Sequence, residues 1–94
     1  MGEGEIMAGR FTGTINKLCK GLLHVHNKIF FVDTQQFYSK EQNRTITMFI
    51  VSERVWDDER QKWLKQQRLK TASQVDVVKY LADRMKRLNE ENDT

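Results

Sequence analysis

Glu-Arg-Val-Trp-Asp-Asp-Glu-Arg-Gln-Lys-Trp-Leu-Lys-Gln-Gln-Arg-Leu-Lys, residues 53–70, is either one helix or the two arms of a hairpin, and the choice decides the fold. On a 3.6-residue period Trp56 and Trp63 align, but Arg60 and Gln67 interrupt the stripe, which leaves a thin apolar seam with little to bury. As two strands, the same residues place Asp57, Asp58 and Glu59 at a tip and send a basic arm back along the sheet. The strand reading is therefore preferred, although no Gly or Asn marks the turn. The returning arm, residues 60–70, holds Arg60, Lys62, Lys65, Arg68 and Lys70, a tryptophan and no acid. Strict alternation puts Arg60, Lys62, Arg68 and Lys70 on one face with Leu64 and Gln66, and Trp63, Lys65 and Leu69 on the other.

Upstream, residues 45–56 form the longest strand candidate. Ile46, Met48 and Ile50 share one face, and Thr45, Thr47, Phe49 and Val51 share the other. Residues 29–33 are apolar, carry two phenylalanines and fit a central strand that runs on towards Phe37. Residues 39–43 are polar and read as a loop. Earlier still, Phe11, Gly13 and Ile15 alternate with Thr12, Thr14 and Asn16, the pattern of a half-buried strand starting at Arg10 and ending near Leu18. Lys20-Gly21 then makes a turn, Leu23 and Val25 face away from His24 and His26, and Asn27-Lys28 offers a second reversal.

Downstream, Ser73 with Asp76 three positions later resembles a capping box, Asp standing for the usual Glu or Gln. A helix is expected from Gln74 to about Asn89. Val78, Leu81, Ala82, Met85 and Leu88 form its apolar face with Val75 beside them, and Arg84, Lys86 and Arg87 suit the negative end of its dipole. The expected fold is α+β: an antiparallel meander of four or five strands with one C-terminal helix packed on a face. Residues 10–89 form the single domain, with a disordered leader over 1–9 and a disordered tail over 90–94. Gly2-Glu3-Gly4-Glu5 is encoded by purine-rich codons like those of a ribosome-binding site, so Met7 is the expected start and a bacterium or phage the expected source.

Ninety-four residues allow one domain with a modest core, for which self-association is a common support, and a homodimer is expected. The formal net charge is +3, unevenly spread: residues 6–32 contain no acid but include Arg10, Lys17, Lys20 and Lys28. The longest apolar runs, residues 29–32 and 48–51, fall far short of the roughly 20 residues of a spanning helix. Neither a membrane partner nor a signal peptide is expected. A single cysteine, Cys19, forms no internal disulfide, which fits a cytoplasmic location.

Catalytic groups are sparse, and the chain reads as a non-enzyme. Cys19, His24 and His26 have the C-x4-H-x-H spacing of a partial zinc site, if the histidines lie on a strand; a surface pair is the ordinary interpretation. Asp57, Asp58 and Glu59, joined by Asp33, would suit a divalent cation, but three consecutive acids usually form a solvated turn. No glycine-rich nucleotide motif occurs, so neither a metal nor another cofactor is expected. The remaining signal is the interleaving of aromatic and basic residues. Single-stranded nucleic acid is held by cations along its backbone and by exposed rings, each stacked base contributing about 1 to 3 kcal/mol. Arg60, Lys62, Lys65, Arg68 and Lys70 are the candidate cations, and Trp56, Trp63, Tyr38 and Phe49 the candidate rings. The ordinary interpretation is a solvated basic face, with one tryptophan buried against the helix and Phe11, Phe30 and Phe31 in the core.

Two resemblances bear on this. Residues 51–58, Val-Ser-Glu-Arg-Val-Trp-Asp-Asp, followed by Trp63, look like the strand and hairpin of bacterial single-stranded-DNA-binding proteins. Trp56-Asp57-Asp58-Glu59, the basic run 62–70 and a helix opened by Ser73 are similar in order to the second half of the positive-cofactor-four coactivators. That resemblance implies a helix-mediated dimer that binds single-stranded DNA through its sheet, with Lys62, Lys65, Arg68 and Lys70 on phosphate and Trp56 or Trp63 stacking. The alternative expectation is a small phage or mobile-element module that captures a host protein and binds no nucleic acid.

Overall fold

The structure, a computed structural model, describes residues 11–92. Helix α1 (Thr12–His26) leads into strands β1 (Phe30–Ser39), β2 (Arg44–Asp57) and β3 (Lys62–Thr71), and helix α2 (Gln74–Asn92) is the last element described. The strands form one antiparallel sheet in the order β1-β2-β3. The α+β class and the meander are as expected, but the described residues form three strands and two helices instead of four or five strands and one helix. The leader over 1–9 and the start at Met7 lie outside the described residues.

The difference arises in residues 12–26, where a strand and a second short hairpin were expected and α1 forms. Over residues 11–16 a period of two and a period of 3.6 cannot be told apart, because both put Phe11 and Ile15 on one side. The continuation decides it: Phe11, Ile15, Leu18, Cys19 and Leu22 follow helical spacing and all pack into the core, where Ile15 and Leu22 are buried. Lys20-Gly21 is accordingly mid-helix. A Cβ on Gly21 would lie 2.6 Å from Cε of Met85 in α2, so the absent side chain lets the two helices approach. Asn27 ends α1 in the left-handed conformation, and the N–H groups of Asn27 and Lys28 donate to the carbonyls of Leu23 and Leu22.

At the hairpin tip the missing glycine is replaced by side-chain work. Oδ1 of Asp57 accepts the N–H groups of Glu59 and Arg60 at 3.0 and 3.3 Å, and Gln61 takes the left-handed position at φ 53°. Asn43 does the same in the β1–β2 turn, where Tyr38 donates to its side-chain oxygen. Residues 53–70 are thus the hairpin that was preferred over the helix.

Both helices lie on one face of the sheet. Phe30, Val32, Phe49, Val51 and Leu69 point towards them, and Val77, Leu81 and Leu88 of α2 complete the core with Ile15 and Leu22. The buried stripe of α2 is centred one position from the expected one: Val77 is fully buried, while Ala82 and Val75 are exposed. Ser73 Oγ accepts the N–H of Asp76 at 3.4 Å. The reciprocal arm of the capping box runs through Thr71, which accepts from Ser73 N–H at 3.1 Å and donates to Asp76 at 2.9 Å. Because α2 continues to Asn92, into the expected tail, Arg84, Lys86 and Arg87 stand outside its last turn, which has no basic residue. No helix among the described residues is long and apolar enough to cross a membrane.

Candidate functional site

The second face of the sheet has no helix on it among the described residues. Cross-strand partners share a face in an antiparallel ladder. The register therefore groups Phe31, Asp33, Gln35 and Phe37 of β1 with Ile46, Met48, Ile50, Ser52, Arg54 and Trp56 of β2. From β3, Trp63, Lys65, Gln67 and Lys70 join them. Both tryptophans are on this open face, 45% and 52% exposed, so neither is buried against a helix as expected.

A β-bulge explains why the cations do not form the row that strict alternation requires. Val51 pairs with Leu69 and Ser52 with Gln67, which leaves Arg68 as the extra residue of β3. Before the bulge, odd-numbered residues of β3 face the open side; after it, even-numbered ones do. Lys65 and Lys70 consequently share the open face with Trp63, whereas Lys62 falls on the helix side opposite Asp57, together with Leu64 and Gln66. Arg60 is in the turn, 3.7 Å from Asp57.

Arg68 itself folds towards the helix side, where Nε and Nη2 lie 3.1 and 3.0 Å from Oε1 of Glu53. Glu53 is only 5% exposed, and Nη2 of Arg84 from α2 approaches the same oxygen at 3.7 Å. This buried carboxylate ties the middle strand to the bulge and to the helix. Tyr80 packs alongside, edge-on to Phe30 at 6.3 Å. Burial pushes its phenol up, against the opposing influence of Arg84 and Arg68. Arg68 is a structural residue, and the basic composition of residues 60–70 does not distinguish it from its neighbours. The available signal was Glu53, an acid inside an otherwise apolar strand, which must find a cation when buried.

On the open face the side chains form a continuous diagonal. Trp56 and Trp63 meet edge to face, with ring centres 5.3 Å apart and planes at 69°. Nε1 of Trp56 donates to Asp58 at 2.8 Å, which fixes that ring against the tip. The Arg54 guanidinium lies 4.8 Å from the centre of the Trp63 ring. Lys65 reaches across β2 to β1, where Nζ lies 4.7 Å from the Phe31 ring centre and 2.9 Å from Oδ2 of Asp33. Lys70 sits opposite Ile50 and makes no ion pair among the described residues. Arg54 and Phe31 were not among the expected site residues. Their alternation with Trp56 and Asp33 was visible in the sequence, but the cross-strand register that joins them was not.

Tyr38 and Phe49, also candidate rings, are on the helix side, Phe49 within the core. Cys19, His24 and His26 are all on α1, where residues two apart point in different directions, so the shared direction that the zinc idea needed is absent. His26 instead meets Asn89 of α2 at 2.8 Å, and burial pushes the Cys19 thiol up. Asp33, on the edge strand β1, is committed to Lys65, away from the acids of the tip. Comparison of the chain with protein families, with characterised proteins and with solved structures found no match.

Proposed function

We propose that the open face binds single-stranded nucleic acid without catalysis. The observation that supports this reading is the diagonal of Trp56, Trp63, Arg54, Lys65 and Phe31, with Lys70 beside it. Exposed rings give unpaired bases a surface to stack on, and the cations among them meet the phosphates. On the strands the face has one acid, Asp33, in an exposed pair with Lys65 that phosphate would have to displace, and Asp58 of the tip lies against Trp56 at its margin. Lys65, Lys70 and Arg54 are the backbone-contacting groups in this reading, and Trp63 is the principal stacking platform. Arg68 and Lys62, expected on phosphate, have no part in it, and Arg60 is at the margin.

Titration of the intrinsic tryptophan fluorescence with an oligothymidylate tests this. Quenching is expected, with an affinity that falls steeply as salt is raised, because bound cations displace counterions. The double variant Arg54→Glu/Lys70→Glu should bind far more weakly while folding normally. Absence of quenching at low salt overturns the proposal.

A second reading has its own support. Exposed Phe37 with half-buried Ile46, Met48 and Ile50 extends the same face as an apolar strip beyond the cations, and such a strip suits a protein partner. Capture of a bacterial protein that persists after nuclease treatment, together with no oligonucleotide binding, would favour it.

A further inference from the structure

The two edges of the sheet are built differently. β3 carries the bulge at Arg68 and the cations Lys62, Lys65, Arg68 and Lys70. Bulges and lysines are devices that keep an edge from pairing with another chain. β1, the other edge, has neither. Its ten residues pair with β2 in one unbroken register, so the strand is regular from Phe30 to Ser39. It contains no proline, lysine or arginine, and its single acid is neutralised by Lys65. Every residue from Asp33 to Tyr38 is exposed, Phe37 and Tyr38 at 47% and 57%. Among the described residues no strand lies beyond β1, so its outward backbone groups have no ladder partner.

We propose that this edge pairs antiparallel with the β1 edge of a second copy of the chain, joining two sheets into one of six strands. A second copy suits this edge because one two-fold contact satisfies two identical open edges at once and charge does not oppose it. Thr34, Gln35 and Gln36 are uncharged, so the tract neither repels itself nor offers a charge by which to select an oppositely charged segment. Geometry then fixes the register. A two-fold axis perpendicular to the sheet keeps both open faces on the same side, which requires opposed residues of equal parity. Gln35 opposite its own counterpart centres the exposed tract. Asp33 then faces Phe37 across the axis, Thr34 faces Gln36, and the two Asp33 side chains stay apart. This edge contact is distinct from a dimer formed through the helices. It stands independently of nucleic-acid binding, although it would make the two open faces continuous.

Sedimentation of the full chain is expected to show a concentration-dependent dimer. In a Cys19→Ala background, Gln35→Cys should be joined into a dimer by a short bismaleimide, and Gln66→Cys on the β3 edge should not. Thr34→Lys with Gln36→Lys places cations on the edge and should raise the dimer dissociation constant at least about tenfold, since like charges brought together across a ladder repel. Circular dichroism should be unchanged in that variant. A chain that stays monomeric at its highest soluble concentration overturns the proposal. So does a folded lysine variant that dimerises as well as the parent.

Discussion

The two faces of the sheet use the same residue types for opposite ends. On the helix side, arginine is spent on a buried acid: Arg68 and Arg84 converge on Glu53, which is 5% exposed. On the open side, Arg54 lies over the Trp63 ring, Lys65 lies over Phe31 while paired with the exposed Asp33, and Lys70 has no ion pair among the described residues. A cation near a buried carboxylate answers a desolvation penalty, whereas a cation over an exposed ring keeps its charge available to solvent and to a polyanion. Within β3 the difference is set by one inserted residue, because the bulge at Arg68 changes which parity of that strand faces out.

The sharpest way to break this comparison is to empty the helix side. Glu53→Ala removes the shared partner of Arg68 and Arg84 and leaves two guanidinium groups partly buried without an acid. Loss of one member of a buried ion pair costs about 3 to 5 kcal/mol, and the partial exposure of both arginines places the expected loss at about 3 kcal/mol. Urea unfolding followed by circular dichroism measures it. A loss under about 1 kcal/mol would mean that the triad behaves as an ordinary surface pair.

The contrast also shows what could be seen in the residues themselves. The hairpin over residues 53–70, the loop after β1 and the helix opened by Ser73 were legible because each rests on local chemistry: a helical stripe broken by Arg60 and Gln67, polar turn residues, a hydroxyl three positions before an acid. Helix α1 was hidden by the coincidence of two periods over residues 11–16, and by Gly21, whose role is contact with Met85 rather than a turn. The bulge was not legible at all. It follows from pairing Val51 with Leu69 while Arg68 reaches Glu53, a tertiary preference that no alternation within β3 expresses. For the site, Trp56, Trp63, Lys65 and Lys70 were anticipated and share a face, while Arg54 and Phe31 needed the register to be found.

Next in size is an effect on the open side. Trp63→Ala removes the ring that contacts both Trp56 and the Arg54 guanidinium. If bases stack there, oligonucleotide affinity should fall by about 1 to 3 kcal/mol. Stability should fall by less, about 0.5 to 1.5 kcal/mol, because the ring is half exposed and its lost contacts, to Trp56 and Arg54, are at the surface. Paired binding and unfolding measurements separate the two. A variant that loses stability but no affinity would return Trp63 to the role of a hairpin clamp.

The finest distinction concerns two lysines eight residues apart in one strand. Lys70 faces the open side beside Ile50, and Lys62 faces the helix side beside Asp57. Neither has an ion pair among the described residues, so neutralising either should leave stability nearly unchanged. Their effects on binding should differ. Lys70→Gln should lower the slope of log affinity against log salt by about one, the signature of one lost phosphate contact, and Lys62→Gln should leave it unchanged. Equal slopes for the two variants would show that charge acts through the net field of the domain and not through one face, since a field depends on total charge and is blind to which side of the bulge a lysine stands on.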